Sequence, residues 1–198
     1  MVDMDFKYLR QVPVDRIMGI DCSTNTVAFS IFDNGIPEIC GEIEFKGATV
    51  FERLNDAREK VQAMVDQDIM VANYIGIESA IMVANQQTAI KLAYVYGAVM
   101  GVLMQNKATV VEVPPITWQS FIGNPNLKPA EKLALRAANP GKSEAWYKEA
   151  GRKMRKQRTL DIARQHFTIP GGSDNVGDAI GIGLYIRDNL TTLTKGKK

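Results

Sequence analysis

The sequence predicts an α/β fold: a mixed five-stranded sheet with flanking helices and a basic helical insertion. Three observations predict it. β-rich segments follow one another at 17–20, 26–32 and 36–45, with Asp33-Asn34-Gly35 as the turn between the last two. Two further apolar runs, 71–77 and 109–113, each follow a stretch of helical period. A base-rich stretch, about 124–160, then separates the last strand from a final apolar helix opening near Asp174. Helical connections make the later strands parallel to the first, whereas the short turns make the first three an antiparallel meander.

Taken in order, residues 1–14 are mixed in character and form an extension. Residues 17–20 read as a buried strand closed by Asp21. The 36–45 segment alternates, with Ile39, Gly41, Ile43 and Phe45 on one face. Residues 49–67 carry a helical stripe of Phe51, Leu54, Ala57, Val61, Met64 and Val65. The run at 71–77 is closed by Glu78. The helix at 86–105 is apolar nearly all round, so it is expected to be buried on every side. One face covers the sheet. The other is covered either by the rest of this chain or by a second copy, and the scarcity of other elements favours a homodimer. Ala93, Gly97 and Gly101, at four-residue spacing, permit close helix contact. This helix carries Lys91 early and leads into a strand, so no membrane span is expected.

Pro114-Pro115 ends the fifth strand. Pro129 at a helix start, Ser143 as an N-cap and the Asn139-Pro140-Gly141 break predict helices at 129–138 and 143–167. The whole chain, 1–198, reads as one domain with the basic arm inserted before its last helix.

Composition is that of a globular protein, 45% hydrophobic and 23% charged. The formal net charge is only +2, but it is unevenly spread. From Asn124 to Thr159 ten bases face three acids, so the remainder is net acidic. A basic arm beside an acidic body suits a polyanion partner. The cysteines, Cys22 and Cys40, have no paired spacing, and the acidic N-terminus resembles no signal peptide, so a cytoplasmic location is expected. A single histidine, His166, excludes histidine-rich zinc and histidine-metal nuclease chemistry.

The chemistry is carried by acids. Asp21 and Glu78 each end a buried run, where a carboxylate is costly unless paired or bound to a metal. Asp174 and Asp178 open the last helix. Converging carboxylates of this kind suit two Mg²⁺ ions, with Mn²⁺ as a substitute, which activate water and stabilise a leaving oxygen in phosphodiester hydrolysis.

The string Gly19-Ile-Asp-Cys-Ser-Thr24 resembles two groups. One is the sugar-kinase and chaperone ATPases, which need two such folds in a longer chain. The other is the RuvC-like Holliday junction resolvases of the ribonuclease H-like superfamily. The second resemblance extends over nearly the whole chain. Glu78 through Leu92 is similar to that family's second acidic strand, loop and dimer helix, and Asp178-Ala-Ile-Gly-Ile-Gly-Leu184 to its final helix.

The resemblance implies a homodimeric endonuclease cutting four-way junction DNA in recombination and repair, with Asp21, Glu78, Asp174 and Asp178 as catalytic metal ligands. It also implies DNA contacts from Ile81 and Asn85 after the second acidic strand and from Lys156, while the density of bases at Arg152, Lys153, Arg155, Lys156 and Arg158 favours a phosphate-binding patch over a merely solvated helix face. The chain departs from the pattern in three places. Asn175 replaces an acid or histidine three residues before Asp178, leaving Asp174 either to take over as ligand or to cap the helix. Ile81 replaces a wedging aromatic. Trp118, read as a packing residue, replaces one lysine of the catalytic side, while Lys156 matches the other. The alternatives are a less selective branched or flap DNA nuclease and a non-catalytic junction binder.

Overall fold

The computed structural model describes residues 15–79, 86–169 and 173–195. Ile81, Asn85 and the 1–14 extension lie outside the described residues. Strands β1 (Ile17–Cys22), β2 (Thr26–Asp33), β3 (Ile36–Glu44), β4 (Tyr74–Glu78) and β5 (Thr109–Val113) form one sheet in the order β3-β2-β1-β4-β5. β1–β2 and β2–β3 pair antiparallel, while β4 pairs parallel with both β1 and β5. This is the mixed five-stranded sheet that the order of elements predicts. The helices are α1 (Val50–Asp66), α2 (Gln86–Leu103, followed by a 3₁₀ turn), α3 (Pro115–Phe121), α4 (Pro129–Ala138), α5 (Glu144–Ala163) and α6 (Asp174–Lys195).

Several boundaries shift for local reasons. β4 begins three residues later than the apolar run. The buried Arg16 takes the Val71 carbonyl at 2.8 Å, and its own amide donates to Asn73 Oδ1 at 3.1 Å, which holds 71–73 out of the ladder. Thr49 caps α1 through a reciprocal bond with Glu52. α5 stops at Ala163, four residues short of its predicted end.

The sheet separates two apolar layers. On one side Met18, Ile20, Val27, Phe29, Ile31 and Ile75 meet α1 and α2 through Ala57, Val61, Val95 and Val99. On the other, Ile17, Ala28, Phe32 and Val113 meet Trp118, Ala163 and the Val176–Ile186 face of α6. α6 lies unusually low. A Cβ on Gly19 would meet the Ala179 carbonyl oxygen at 2.1 Å and Gly183 N at 2.5 Å. Gly76, opposite Gly19 in the register, faces Ile186 Cγ1 at 2.5 Å in the same way. Ser30 Oγ donates to the Ala179 carbonyl at 2.9 Å, completing the contact.

Among the described residues nothing in this chain covers the outer face of α2, which corrects only the reading that the rest of the chain does so. Val95, Val99, Val102 and Leu103 are buried. Ile90 and Tyr94 are about half exposed, at 51% and 49%, and nothing approaches within 4 Å of a Cβ on Gly97 or Gly101. Phe51, placed on the buried stripe of α1, is also exposed and stacks on Tyr94 at 6.5 Å. With its 3₁₀ turn, α2 is long and apolar enough to cross a membrane by length and composition. Its inner face instead lies on the sheet beside α1, as in a core helix.

Candidate active site

Register brings the strand-end acids together. In the β1–β4 ladder Ile20 stands opposite Ile77, so Asp21 and Glu78, the next residues, reach the same level at the ends of adjacent parallel strands. Side chains alternate along a strand. Gly19 and Gly76 face α6, and two residues on Asp21 and Glu78 therefore face it too. Asp178 projects from the first turns of α6, held close by the glycine contacts one helical turn away. Glu78 and Asp178 border one cleft, and Asp21 stands near enough to both for their charges to act on one another.

Their electrostatics reflect this crowding. Burial, then the charge of Glu78, lifts the Asp21 carboxyl to about 7, with Lys156 opposing and Glu42 adding to the rise. Burial, then Asp21 and Glu78, lifts Asp178 to about 8, again opposed by Lys156. Burial also raises Glu78, against a hydrogen bond that favours its ionised form. That bond comes from Trp118 Nε1 to Glu78 Oε2 at 2.9 Å. Trp118 is the packing residue the sequence suggests, fully buried against α6. Its ring nitrogen also orients a site acid, which apolar patterning could not foretell.

Asp174 is the first residue of α6, one position inside the helix, and its carboxylate takes Lys156 Nζ at 3.0 Å. Lys156 thus stands among the acids. Asn175 turns its amide nitrogen to Glu42 Oε1 at 2.7 Å.

The cleft has a volume of about 910 Å³ and runs from Glu78 and Asp178 along α3 to α5, where Arg152, Arg155, Lys156 and Thr159 line it. These α5 residues share a face by their spacing. Lys153 is exposed and does not line the cleft, and Arg158 pairs with Glu131 of α4. The predicted basic cluster therefore divides, with Arg158 bracing the arm. Arg155 bonds Gln119 of α3, and Asn124, 1% exposed, donates to the Arg155 carbonyl at 2.8 Å and to Thr159 Oγ1 at 2.9 Å. Gln119 ties the arm to the acid-bearing body, Asn124 fastens the start of the arm to α5, and neither stands out in the sequence. In the arm Tyr147 donates to the Asn139 carbonyl and lies beneath Arg136, while Trp146 packs edge-on to Tyr147.

Among the described residues, no three Asp, Glu, His or Cys side chains stand close enough together, as placed, to hold a metal ion. Glu78 and Asp178 border an open cleft, with Asp21 near them. Their donors are all carboxylate oxygens, and their raised proton affinities mark a place short of positive charge. Both properties fit a hard divalent cation that keeps several waters, as Mg²⁺ does.

Residues 17–130 match the model of a family described as RuvC, crossover junction endodeoxyribonuclease. This chain belongs to that family. Among solved structures it is similar to T. thermophilus RuvC in complex with Holliday junction substrate, with a TM-score of 0.60 and 11% identity over 90% of this chain and 96% of that one. A second structure of Thermus thermophilus RuvC gives a TM-score of 0.57 and 12% identity, covering 89% and 96%. The yeast mitochondrial Holliday junction resolvase Ydc2 gives 0.50 and 10%, covering 93% and 82%. At such identities the likeness is one of fold. No curated protein matches the chain. The RuvC match includes Asp21, Glu78 and Trp118 and stops before α5 and α6, so Lys156, Asp174 and Asp178 join the site by geometry.

Proposed function

We propose that this RuvC-family chain is a divalent-metal-dependent endonuclease that cleaves four-way junction DNA as a homodimer. The observation that carries the reading is that Glu78 and Asp178, with Asp21 near enough for its charge to couple to theirs, stand at one end of a cleft whose far wall is basic. Asp21, Glu78, Asp178 and Asp174 would hold Mg²⁺, which when bound supplies activation of water and stabilisation of the leaving 3′-oxygen. Trp118 keeps Glu78 turned toward the cleft. Arg152 and Arg155 receive the phosphate backbone, and Lys156 offsets the negative field of Asp21 and Asp178. Without a cation, burial and mutual repulsion raise the proton affinity of Asp21 and Asp178.

The uncovered apolar face of α2 supports the homodimer. Two copies joined there would offer two acid centres to a substrate that itself has two-fold symmetry. The test is a gel assay comparing a four-way junction, a flap and a plain duplex, each with Mg²⁺ and with EDTA. Paired, Mg²⁺-dependent incision of the junction is expected. Equal cutting of flap and junction would make it a general branched-DNA nuclease, and binding without incision a junction binder.

A further inference from the structure

β3 carries a carboxylate that the alternation of its strand assigns to the solvent side. Glu42 pairs across the ladder with Ala28, and Ala28 with Asp21. Directly opposed residues share a face. Glu42 and Asp21 therefore stand on the α6 side, separated by one small side chain. Both Glu42 oxygens are engaged by the start of α6. Ser173 Oγ donates to Oε2 at 2.8 Å, and Asn175 Nδ2 donates to Oε1 at 2.7 Å. Asn175 Nδ2 also reaches Thr26 Oγ1 at 3.3 Å, which is hydrogen-bonded to Ser23 Oγ at 2.8 Å. Ser23 lies two residues after Asp21. A line of side-chain contacts thus runs from the first turn of α6, over β3 and β2, to the turn that follows the β1 acid.

We propose that Glu42 is a positioning residue of the acid centre, clamping the first turn of α6 through Ser173 and Asn175 so that Asp174 and Asp178 hold their station against Asp21 and Glu78. The inference rests on the nuclease reading above. The first turn of a helix is its least bonded part, because its leading N–H groups have no intrahelical partner. Bonds to an ionised carboxylate are the strong ones available there. The neutrality of Asn175 belongs to the device. An acid at that position would face Glu42 across a hydrogen-bond distance and be repelled, whereas an amide donates.

The test uses the full chain, with Mg²⁺ alone as the ligand probe. Glu42→Ala, Glu42→Gln, Asn175→Asp and the double variant Glu42→Gln/Asn175→Asp are compared with the parent. Amide exchange at Gly177 and Asp178 reports the first turn, since the Gly177 N–H is bonded to the Ser173 carbonyl. Calorimetric titration reports Mg²⁺ affinity, junction cleavage reports activity, and melting temperature reports the global fold. Glu42→Ala and Asn175→Asp should each speed exchange about tenfold and weaken Mg²⁺ binding at a nearly unchanged melting temperature. Glu42→Gln should behave like the parent, because its oxygen accepts from Asn175 and its amide donates to Ser173 Oγ. The double variant should recover, since glutamine donates to the new aspartate.

Parental exchange and Mg²⁺ affinity in Glu42→Ala, or an Asn175→Asp defect that Glu42→Gln does not relieve, overturns the proposal. A parent that cuts no branched DNA, with the exchange pattern as expected, removes the nuclease reading and leaves the clamp standing.

Discussion

Replacing Asp21 by asparagine should stabilise the metal-free protein at alkaline pH while abolishing cleavage. The Asp21 carboxyl is raised from 3.8 to about 7. At about 1.4 kcal/mol per pKa unit, that is about 4 kcal/mol held against the ionised folded state. Asp21 titrates together with Glu78 and Asp178, which take up part of the proton load, so the share assignable to Asp21 alone is about 1–2 kcal/mol. The sign follows from linkage. Between pH 4 and 7 the folded protein keeps a proton that the unfolded chain has released, so this group's contribution to stability falls as pH rises through that window. Asparagine carries no such penalty and also relieves Glu78 and Asp178. Urea unfolding in EDTA should therefore show near equality at pH 4.5 and an advantage of about 1–2 kcal/mol for Asp21→Asn at pH 8.5. Adding Mg²⁺ should stabilise the parent more than the variant. An asparagine variant that is less stable than the parent at pH 8.5 in EDTA, or a difference that does not change with pH, would refute the reasoning.

Four further outcomes are expected. Gly19→Ala should cost at least about 2 kcal/mol in urea unfolding and abolish cleavage, because the added methyl meets main chain; Gly76→Ala, which meets isoleucine side chains, should cost less. Trp118→Phe keeps the ring but removes the donor to Glu78, so single-turnover cleavage should fall about tenfold and stability by about 1.5–3 kcal/mol. Asp174→Asn should lower cleavage about 100-fold at unchanged melting temperature if Asp174 is a ligand, and near-normal cleavage would assign it to pairing with Lys156 alone. Gly97→Leu has open space in the protomer, so it should melt like the parent yet sediment as a monomer where the parent is dimeric.

How far the sequence could be read depended on which interactions leave a local signature. Asp21 and Glu78 were visible because a charged residue ending an apolar run stands out, and strand order then put them side by side. The five strands were visible for the same reason, as short runs bounded by turns or helices. Glu42 was hidden because it alternates correctly for a solvent face, and only the long-range approach of α6 gives that face a neighbour. The second role of Trp118 depends on where one ring nitrogen points, which periodicity does not encode. The apolar outer face of α2 reports a preference for burial but does not say what covers it, and among the described residues this chain does not. Arg158 and Lys153 looked equivalent to Arg155 in a dense basic run, until helical spacing and Glu131 sorted them.

At Gly19 and Gly183 main chain rests on main chain, with no side chain between β1 and α6. The closest approach of α6 to β1 at this level is thus limited by covalent geometry and van der Waals radii, while the first turn of the helix still depends on its side-chain bonds. Such a contact works as a mechanical stop. It limits how closely α6 and β1 approach without calling on any side chain between them.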